Sequence, residues 1–295
     1  MKNNFIFDYI GNTPLIKVQK LLGKEDVSLY LKLEGNNPGG SVKDRAAFNM
    51  ISSAIQRNEI DKHTHLIEAT SGNTGIALAM IAQQFDLTIE LVMPENSTKE
   101  RIQTMEAYGA KVTLTSSENG IEGARIYAEK QVTKKGYFML NQFANEDNWK
   151  AHYKNTGPEI WNASNGEITH FVSAMGTTGT IIGTSTYLKE QNNNIQIIGV
   201  QPTDNSSIPG IRKWSKEFLP KIFDAKKVDL IIEVSENEAR EMTKKLAMKE
   251  GVFSGMSGGG AVAASLKLAN KLTKGTIITI IPDRGDRYLS SNLFE

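Results

Sequence analysis

The sequence predicts an α/β fold whose sheets are mostly parallel and covered by helices. Over 295 residues, short runs rich in β-branched and apolar residues alternate with segments of helical periodicity, a pattern typical of parallel sheets. Glycine-rich stretches stand where these runs give way to helical segments, and ligands of such folds bind at the carboxyl ends of the strands. The predicted strands are residues 66–68, 88–93, 111–115, 169–174, 195–200 and 275–281.

Two of the segments between strands begin with a capping box. In this motif a serine and a glutamate three residues later satisfy the first free backbone N–H groups of a helix. Ser97 with Glu100 predicts a helix over residues 97–108, and Ser235 with Glu238 predicts one over 235–249.

Four glycine-rich loops come from distant parts of the chain. Since the loops at one edge of a doubly wound sheet gather around the ligand crevice, we expect these four to line one pocket. A long segment, residues 203–227, contains two prolines and few periodic apolar positions, and we expect it beside the site. The four loops are residues 36–45, 70–75, 176–180 and 255–260.

Composition excludes several classes of protein. The 34 Lys and Arg residues nearly balance the 33 Asp and Glu residues, giving a net charge of +1, so a nucleic-acid or membrane partner is not expected. The chain has no cysteine, which excludes disulfides, thiolate metal sites and a cysteine nucleophile. It shows neither a signal-peptide pattern nor an apolar run of about 18 residues. We therefore expect a cytoplasmic protein.

The 176–180 loop, Gly-Thr-Thr-Gly-Thr, follows an apolar run and precedes a helical pattern. Converging backbone N–H groups and threonine hydroxyls at a helix start suit a phosphate dianion. A tight turn that needs only glycine flexibility explains this loop equally well. The loop lacks the Gly-Lys-Ser/Thr ending of a nucleotide-binding P-loop, which disfavours a triphosphate.

Lys43 follows a Pro-Gly-Gly turn and stands near the start of a helical pattern. The helix dipole disfavours an ammonium group there, and a lowered pKa is what a lysine needs to attack an aldehyde. Without the other loops, the same pattern would indicate a solvated surface lysine. The four histidines, His63, His65, His152 and His170, show no metal-ligand spacing, so we expect core or surface histidines and no metal site.

Five motifs in register resemble the cysteine synthase family, also called O-acetylserine sulfhydrylases. The resemblance covers essentially the whole chain. The motifs are Asn12-Thr13-Pro14-Leu15, residues 37–45, residues 70–75, residues 176–180 and the closing Gly285-Asp286-Arg287-Tyr288-Leu289-Ser290.

The resemblance implies a two-domain, fold type II enzyme that binds pyridoxal 5'-phosphate (PLP) between its domains. Residues 1–35 and 146–295 would form the larger, PLP-binding domain, and residues 36–145 a smaller mobile domain. Lys43 would bind the cofactor covalently and shuttle the α-proton of the substrate. The implied cofactor-binding residues are Lys43, Asn73, Gly176, Thr177, Thr178, Gly179, Thr180 and Ser257.

The implied reaction is a β-replacement. Acetate leaves O-acetylserine to give an α-aminoacrylate, and a sulfur nucleophile then adds, forming cysteine. Ser257 would face the pyridine nitrogen, and because a hydroxyl cannot keep that nitrogen protonated as a carboxylate would, the ring would be a weaker electron sink. The residues implied to bind the substrate carboxylate are Thr70, Ser71, Gly72, Thr74 and Gln142.

Within the family, residues 157–161, 206–214 and 283–287 resemble the B isozyme, which also accepts thiosulfate and forms S-sulfocysteine. Arg212 would suit such an anionic donor, and anchoring of its own loop explains this arginine nearly as well. The resemblance also implies a homodimer. An O-phosphoserine-dependent synthase, a cystathionine β-synthase-like enzyme and a non-catalytic α/β binding protein remain alternatives.

Overall fold

The computed structural model describes residues 5–70 and 72–295, and these residues form an α/β protein. Each of the six predicted strands is present, with bounds that differ by at most a few residues. The strands are β1 (Leu15–Lys17), β2 (Val27–Leu33), β3 (His65–Ala69), β4 (Thr88–Pro94), β5 (Lys111–Thr115), β6 (Phe138–Met139), β7 (His170–Ala174), β8 (Gln196–Pro202), β9 (Leu230–Val234) and β10 (Gly275–Ile281).

The strands form two sheets. One has the order β1-β2-β10-β7-β8-β9 and the other the order β5-β4-β3-β6. Among the described strands, β1 and β2 form the antiparallel pair and the other pairs are parallel. The predicted mostly parallel architecture is thereby confirmed. The strands of the second sheet all lie within residues 36–145, whereas the division into a fixed and a mobile domain stays a prediction.

Helices connect and cover the strands. Short π-helical turns, His152–Thr156 and Leu246–Glu250, directly follow the fifth and eighth helices. Among the described residues, no helix has both the length and the apolar character needed to cross a membrane. The helices are α1 (Lys43–Gln56), α2 (Asn73–Gln84), α3 (Lys99–Ala107), α4 (Gly120–Lys135), α5 (Glu146–Ala151), α6 (Gly157–Ala163), α7 (Gly179–Gln191), α8 (Glu236–Lys245) and α9 (Met256–Lys271).

One of the two predicted capping boxes is present. The Ser235 hydroxyl accepts the Glu238 N–H, and the Glu238 side chain accepts the Ser235 N–H in return. The Ser97 prediction was wrong, because the Ser97 hydroxyl donates to the Pro94 carbonyl at 2.7 Å instead. Helix α3 consequently begins two residues later than predicted, after Thr98.

Apolar side chains pack on both sheets and fix the positions of the loops at their edges. Leu29, Val172 and Val262 belong to the core that α9 forms with the larger sheet. Leu78 and Leu91 belong to the core that α1 and α2 form with the smaller sheet. Because both sheets are packed in this way, their loops extend from rigid supports.

Buried charges hold the first turn of α1. The Arg45 guanidinium pairs with Glu34 at 2.6 Å and with Glu159 at 2.7 Å, and Lys32 also pairs with Glu159 at 2.6 Å. Glu34 is fully buried. Burial by itself raises the pKa of Glu34, but Arg45, Thr13 and Lys32 outweigh it and lower that pKa to about 2. The cluster joins β2, α1 and α6 beside the predicted cofactor lysine.

Replacing Arg45 by methionine is expected to lower the free energy of unfolding by about 3–5 kcal/mol, because it leaves buried carboxylates without their partner. Chemical denaturation measures the loss. Lys150→Met is the control, because the side chains of Lys150 and its partner Glu146 are 38% and 68% exposed and such pairs contribute little. Equal losses in the two variants would contradict the role of the cluster.

The pH dependence of that loss has a defined sign. The pKa of Glu34 lies below its ordinary value of 4.5, so its contribution to stability is complete above that value and disappears as the pH falls towards 2. The difference in the free energy of unfolding between wild type and Arg45→Met should therefore narrow as the pH falls from 4.5 to about 2.

Candidate active site

The four glycine-rich loops meet in one cleft between the two sheets. Lys43, Thr70 and Gly176 line its outer part, and Ser257 lines its inner part together with Lys43. Thr70 directly follows β3, and Gly176 follows β7 by two residues. The cleft therefore lies at the carboxyl ends of parallel strands, where the sequence analysis expected it.

Lys43 is the first residue of α1, and it lines the cleft. Burial lowers the pKa of Lys43, while the charges of Asp283 and Glu34 act in the opposite direction. The helix dipole also disfavours an ammonium at this end of a helix. The site therefore favours the neutral, nucleophilic form of this amine more than water does.

Residues 176–180 form a turn at the start of α7 with hydrogen-bond donors that suit an anion. Thr178 has a left-handed backbone with φ of 70°, and its side chain does not cap the helix that begins at Gly179. The Thr178 hydroxyl is buried and has no hydrogen-bond partner within residues 5–70 and 72–295. Free N–H groups of a helix start and an unpaired hydroxyl are the donors that a phosphate dianion takes.

Two glycines of this turn allow close packing around it. A Cβ at Gly176 would lie 2.8 Å from the Gly210 carbonyl oxygen, and a Cβ at Gly179 would overlap the Asn148 side-chain oxygen. Asn148 also contacts the turn directly, because its Nδ2 lies 3.2 Å from the Thr177 hydroxyl. The glycines therefore serve packing as well as conformation.

Asn73, the first residue of α2, is held by the segment that follows β10. Its Nδ2 donates to Asp283 at 2.7 Å, and its Oδ1 accepts from Arg287, which also donates to the Gly39 carbonyl. The Tyr288 hydroxyl donates to Asp283 at 2.6 Å. The sequence analysis noted this closing motif without assigning it a role, and only the fold shows that it contacts the Lys43 loop.

Ser257 lies in the first turn of α9 and is only 3% exposed. It lines the inner end of the cleft, opposite the loop that carries Gly210. A serine at this point supplies a hydroxyl and no charge.

The residues predicted to bind the substrate carboxylate face the outer part of the cleft. Thr70, Gly72, Thr74 and Gln142 all line it, and the Thr74 hydroxyl donates to Gln142 Oε1 at 2.7 Å. Ser71, the remaining member of the predicted set, lies outside the described residues.

Residues 203–227 run beside the cleft, as predicted. The Arg212 N–H donates to the Met175 carbonyl at 2.8 Å, and Trp214 Nε1 donates to the Gly176 carbonyl at 2.8 Å. The Arg212 guanidinium lies 5.9 Å from the centre of the Trp214 ring, and both residues line the cleft. The Arg212 backbone N–H and the Trp214 side chain thus anchor this loop to the residues at the start of the 176–180 turn.

Sequence reasoning treated His152 as an isolated core or surface histidine. It is buried in the π-helical turn after α5, with Nδ1 2.9 Å from the Thr156 hydroxyl and Nε2 3.3 Å from the Thr180 hydroxyl. Burial, assisted by the charges of Arg45 and Lys43, lowers the pKa of His152 to about 3. A neutral imidazole therefore contacts the 176–180 turn at Thr180. Spacing along the chain could not reveal this contact.

Taken together, these groups fit PLP. An amine of lowered pKa, a turn with an unpaired buried hydroxyl and an uncharged Ser257 side chain face one cleft. An aldehyde, a phosphate and a pyridine nitrogen are the partners that these three features suit.

Comparisons with known proteins indicate the same cofactor. The family model described as "Pyridoxal-phosphate dependent enzyme" matches residues 6–283. Cysteine synthase B of Pseudomonas aeruginosa is 54% identical over 290 residues, covering 98% of this chain and 97% of the relative. Cysteine synthase B of Escherichia coli is 51% identical over 285 residues, covering 97% of this chain and 94% of the relative.

A solved structure is similar over the entire chain. The cysteine synthase of Entamoeba histolytica superposes with a TM-score of 0.94 at 36% identity, covering 100% of this chain and 91% of that one. Identity above 50% over nearly the full length, together with the matching family model, settles the assignment. This chain belongs to the pyridoxal-phosphate-dependent enzymes of the cysteine synthase family.

Proposed function

We propose that this chain is an O-acetylserine sulfhydrylase that converts O-acetylserine and sulfide to cysteine and acetate. The observation that carries the proposal is the cleft in which Lys43, the 176–180 turn and the 70–75 loop converge. Two relatives that are 54% and 51% identical to this chain bear the name cysteine synthase B. The Entamoeba histolytica structure of the same fold is likewise a cysteine synthase.

When bound, PLP supplies an electron sink for negative charge that develops at the substrate α-carbon. Lys43 would hold this group covalently through Nζ, and the turn Gly176 to Thr180 would bind its phosphate. Asn73 would donate a hydrogen bond to the ring oxygen. Ser257 would face the ring nitrogen, and its hydroxyl cannot hold a proton there as a carboxylate would. The chain would thereby favour loss of a β-substituent.

The substrate carboxylate would bind to the Thr70–Thr74 segment and Gln142. A carboxylate needs several N–H and O–H donors, and the loop before α2 supplies a helix start as well. Lys43 Nζ, once released from the cofactor, would take the α-proton. The lowered pKa of Lys43 favours the unprotonated amine, which is the form that can accept this proton.

Three further expectations rest on the family resemblance. We propose that residues 36–145 move as the smaller domain and exclude water from the cleft when substrate binds. A homodimer and a cytoplasmic location also stay predictions, which size measurement in solution and cell fractionation test.

Replacing Lys43 by alanine is expected to reduce cysteine formation at least about 100-fold, since it removes the covalent anchor and the proton carrier. The assay follows cysteine formation from O-acetylserine, or from O-phosphoserine, with sulfide. Wild-type protein should be yellow and should lose its colour with borohydride. Lys99→Ala is the control, because Lys99 is an exposed lysine that also begins a helix. Near-normal turnover by Lys43→Ala would refute the assignment.

Replacing Gly179 by alanine should weaken PLP binding about tenfold or more, because a Cβ there overlaps Asn148 and overpacking costs about 1–3 kcal/mol. Titration of apoenzyme with PLP, followed by absorbance, measures the change. Gly23→Ala is the control, since nothing lies within 4 Å of a Cβ at Gly23. Unchanged PLP affinity in Gly179→Ala would argue against phosphate binding at this turn.

We also propose that thiosulfate is an alternative sulfur donor and that Arg212 binds it. Charge-assisted bonds to an oxyanion contribute about 1.5–3 kcal/mol, so Arg212→Ala should reduce kcat/KM for thiosulfate about 10- to 100-fold. Sulfide use should change much less. Lys213→Ala removes a neighbouring positive charge that is paired with Asp204 and Glu233, and it should affect neither donor. Equal losses for both donors in Arg212→Ala would contradict this role.

A further inference from the structure

Glu68 lies on β3, two residues before Thr70, and is only 3% exposed. Its carboxylate accepts the backbone N–H of Asn141 at 2.9 Å and that of Gln142 at 3.4 Å. Glu68 therefore connects the strand that leads into one part of the carboxylate site with the turn that carries another part.

The register of the smaller sheet explains why a side chain makes these bonds. Strand β6 pairs with β3 only at Phe138 and Met139. Beyond Met139 the chain leaves the ladder, and at Asn141 it turns through a left-handed conformation with φ of 55°. The carboxylate of Glu68 supplies the acceptors at the point where the sheet ends, and N–H groups without acceptors would be costly there.

Gln142 has further contacts that depend on this placement. Its side-chain oxygen accepts the Thr74 hydroxyl at 2.7 Å, and its carbonyl accepts Asn148 Nδ2 at 2.7 Å. Asn148 in turn contacts Thr177. A displaced Gln142 backbone would therefore move the predicted carboxylate site relative to the phosphate turn.

We propose that Glu68 is a positioning residue that fixes Gln142 and thereby sets the affinity of the site for the carboxylate of the amino-acid substrate. This inference rests on the proposed function. Glu68 does not line the cleft, so it acts through the turn at residues 141–142 and not by touching substrate.

The charge state of Glu68 gives the proposal a pH signature. Burial raises the pKa of Glu68 to about 7, although the Asn141 and Gln142 N–H groups and the charge of Arg125 on α4 oppose the rise. Arg125 is the charged side chain that acts on this carboxyl within the described part of the chain. Protonation turns one acceptor oxygen into a donor, so amino-acid affinity should fall as the pH drops below about 7.

The experiment compares Glu68→Gln and Glu68→Ala with wild type and with Glu90→Gln. Glu90, on the neighbouring strand β4, is also buried and accepts from Lys111 at 2.9 Å and Thr113 at 2.8 Å. It controls for the loss of a buried carboxylate from the same sheet. The readouts are kcat, the KM values for O-acetylserine and sulfide, and the dissociation constant of L-serine from PLP absorbance, each at pH values on both sides of 7.

We expect Glu68→Ala to raise the KM for O-acetylserine and the dissociation constant of L-serine about tenfold, as lost buried hydrogen bonds do. Glu68→Gln, which keeps one acceptor and the side-chain shape, should show a smaller rise and no pH dependence near 7. The KM for sulfide and PLP retention should not change. Because Glu68→Gln nearly preserves the volume, it tests the proposal even if Glu68→Ala does not fold.

Unchanged amino-acid affinity in an active Glu68→Gln enzyme, or an equal change in Glu90→Gln, would overturn this inference alone. Persistence of the pH dependence in Glu68→Gln would do so too. Wild-type protein that binds PLP but forms no cysteine would overturn the proposed function and this inference with it.

Discussion

The ion pairs of Arg45 hold the helix start that carries Lys43. Arg45 follows Lys43 by two residues in the first turn of α1, and its partners Glu34 and Glu159 come from other elements. Such a buried group loses hydration, which only good geometry with several partners offsets. Because Arg45 has those partners, the helix start cannot shift without leaving buried charges unpaired. The backbone at Lys43 is thereby held in place.

The other residues that line the cleft stand at the carboxyl ends of parallel strands. Thr70 follows β3, Gln142 follows β6 and Gly176 follows β7, so strand ends from both sheets face the cleft. The segment after β10 completes the arrangement, because Arg287 bonds to Asn73 and to the Gly39 carbonyl. The C-terminal part of the chain thus connects the lysine loop to the start of α2. The position of each loop therefore depends on contacts with a distant part of the chain.

Local patterns were sufficient to predict six of the ten described strands and the glycine-rich loops that line the cleft, but not β1, β2, β6 and β9. Glycine and threonine after a strand indicate a tight turn with free donors, and this local pattern is visible in the sequence. The 176–180 turn was therefore predicted. Residues that act through partners distant in the chain were not found. His152, Asn148 and Glu68 are ordinary residues in their segments, and their contacts depend on a π-helical turn and on the length of β6. The capping box predicted at Ser97 is absent because the Ser97 hydroxyl donates to the Pro94 carbonyl in the preceding turn.

Burial moves several groups around the cleft towards their neutral forms. It lowers the pKa of Lys43, lowers that of His152 to about 3, and raises those of Asp44 and Glu68 to about 7. A phosphate ester would bring negative charge into this region, where the helix start and the hydroxyls of the 176–180 turn could donate to it. Burial also favours the neutral form of the Lys43 amine, which is the form that attacks an aldehyde. Glu34 keeps its charge in the same surroundings because Arg45, Thr13 and Lys32 outweigh the effect of its burial, so paired charges and neutral groups stand side by side next to the cleft.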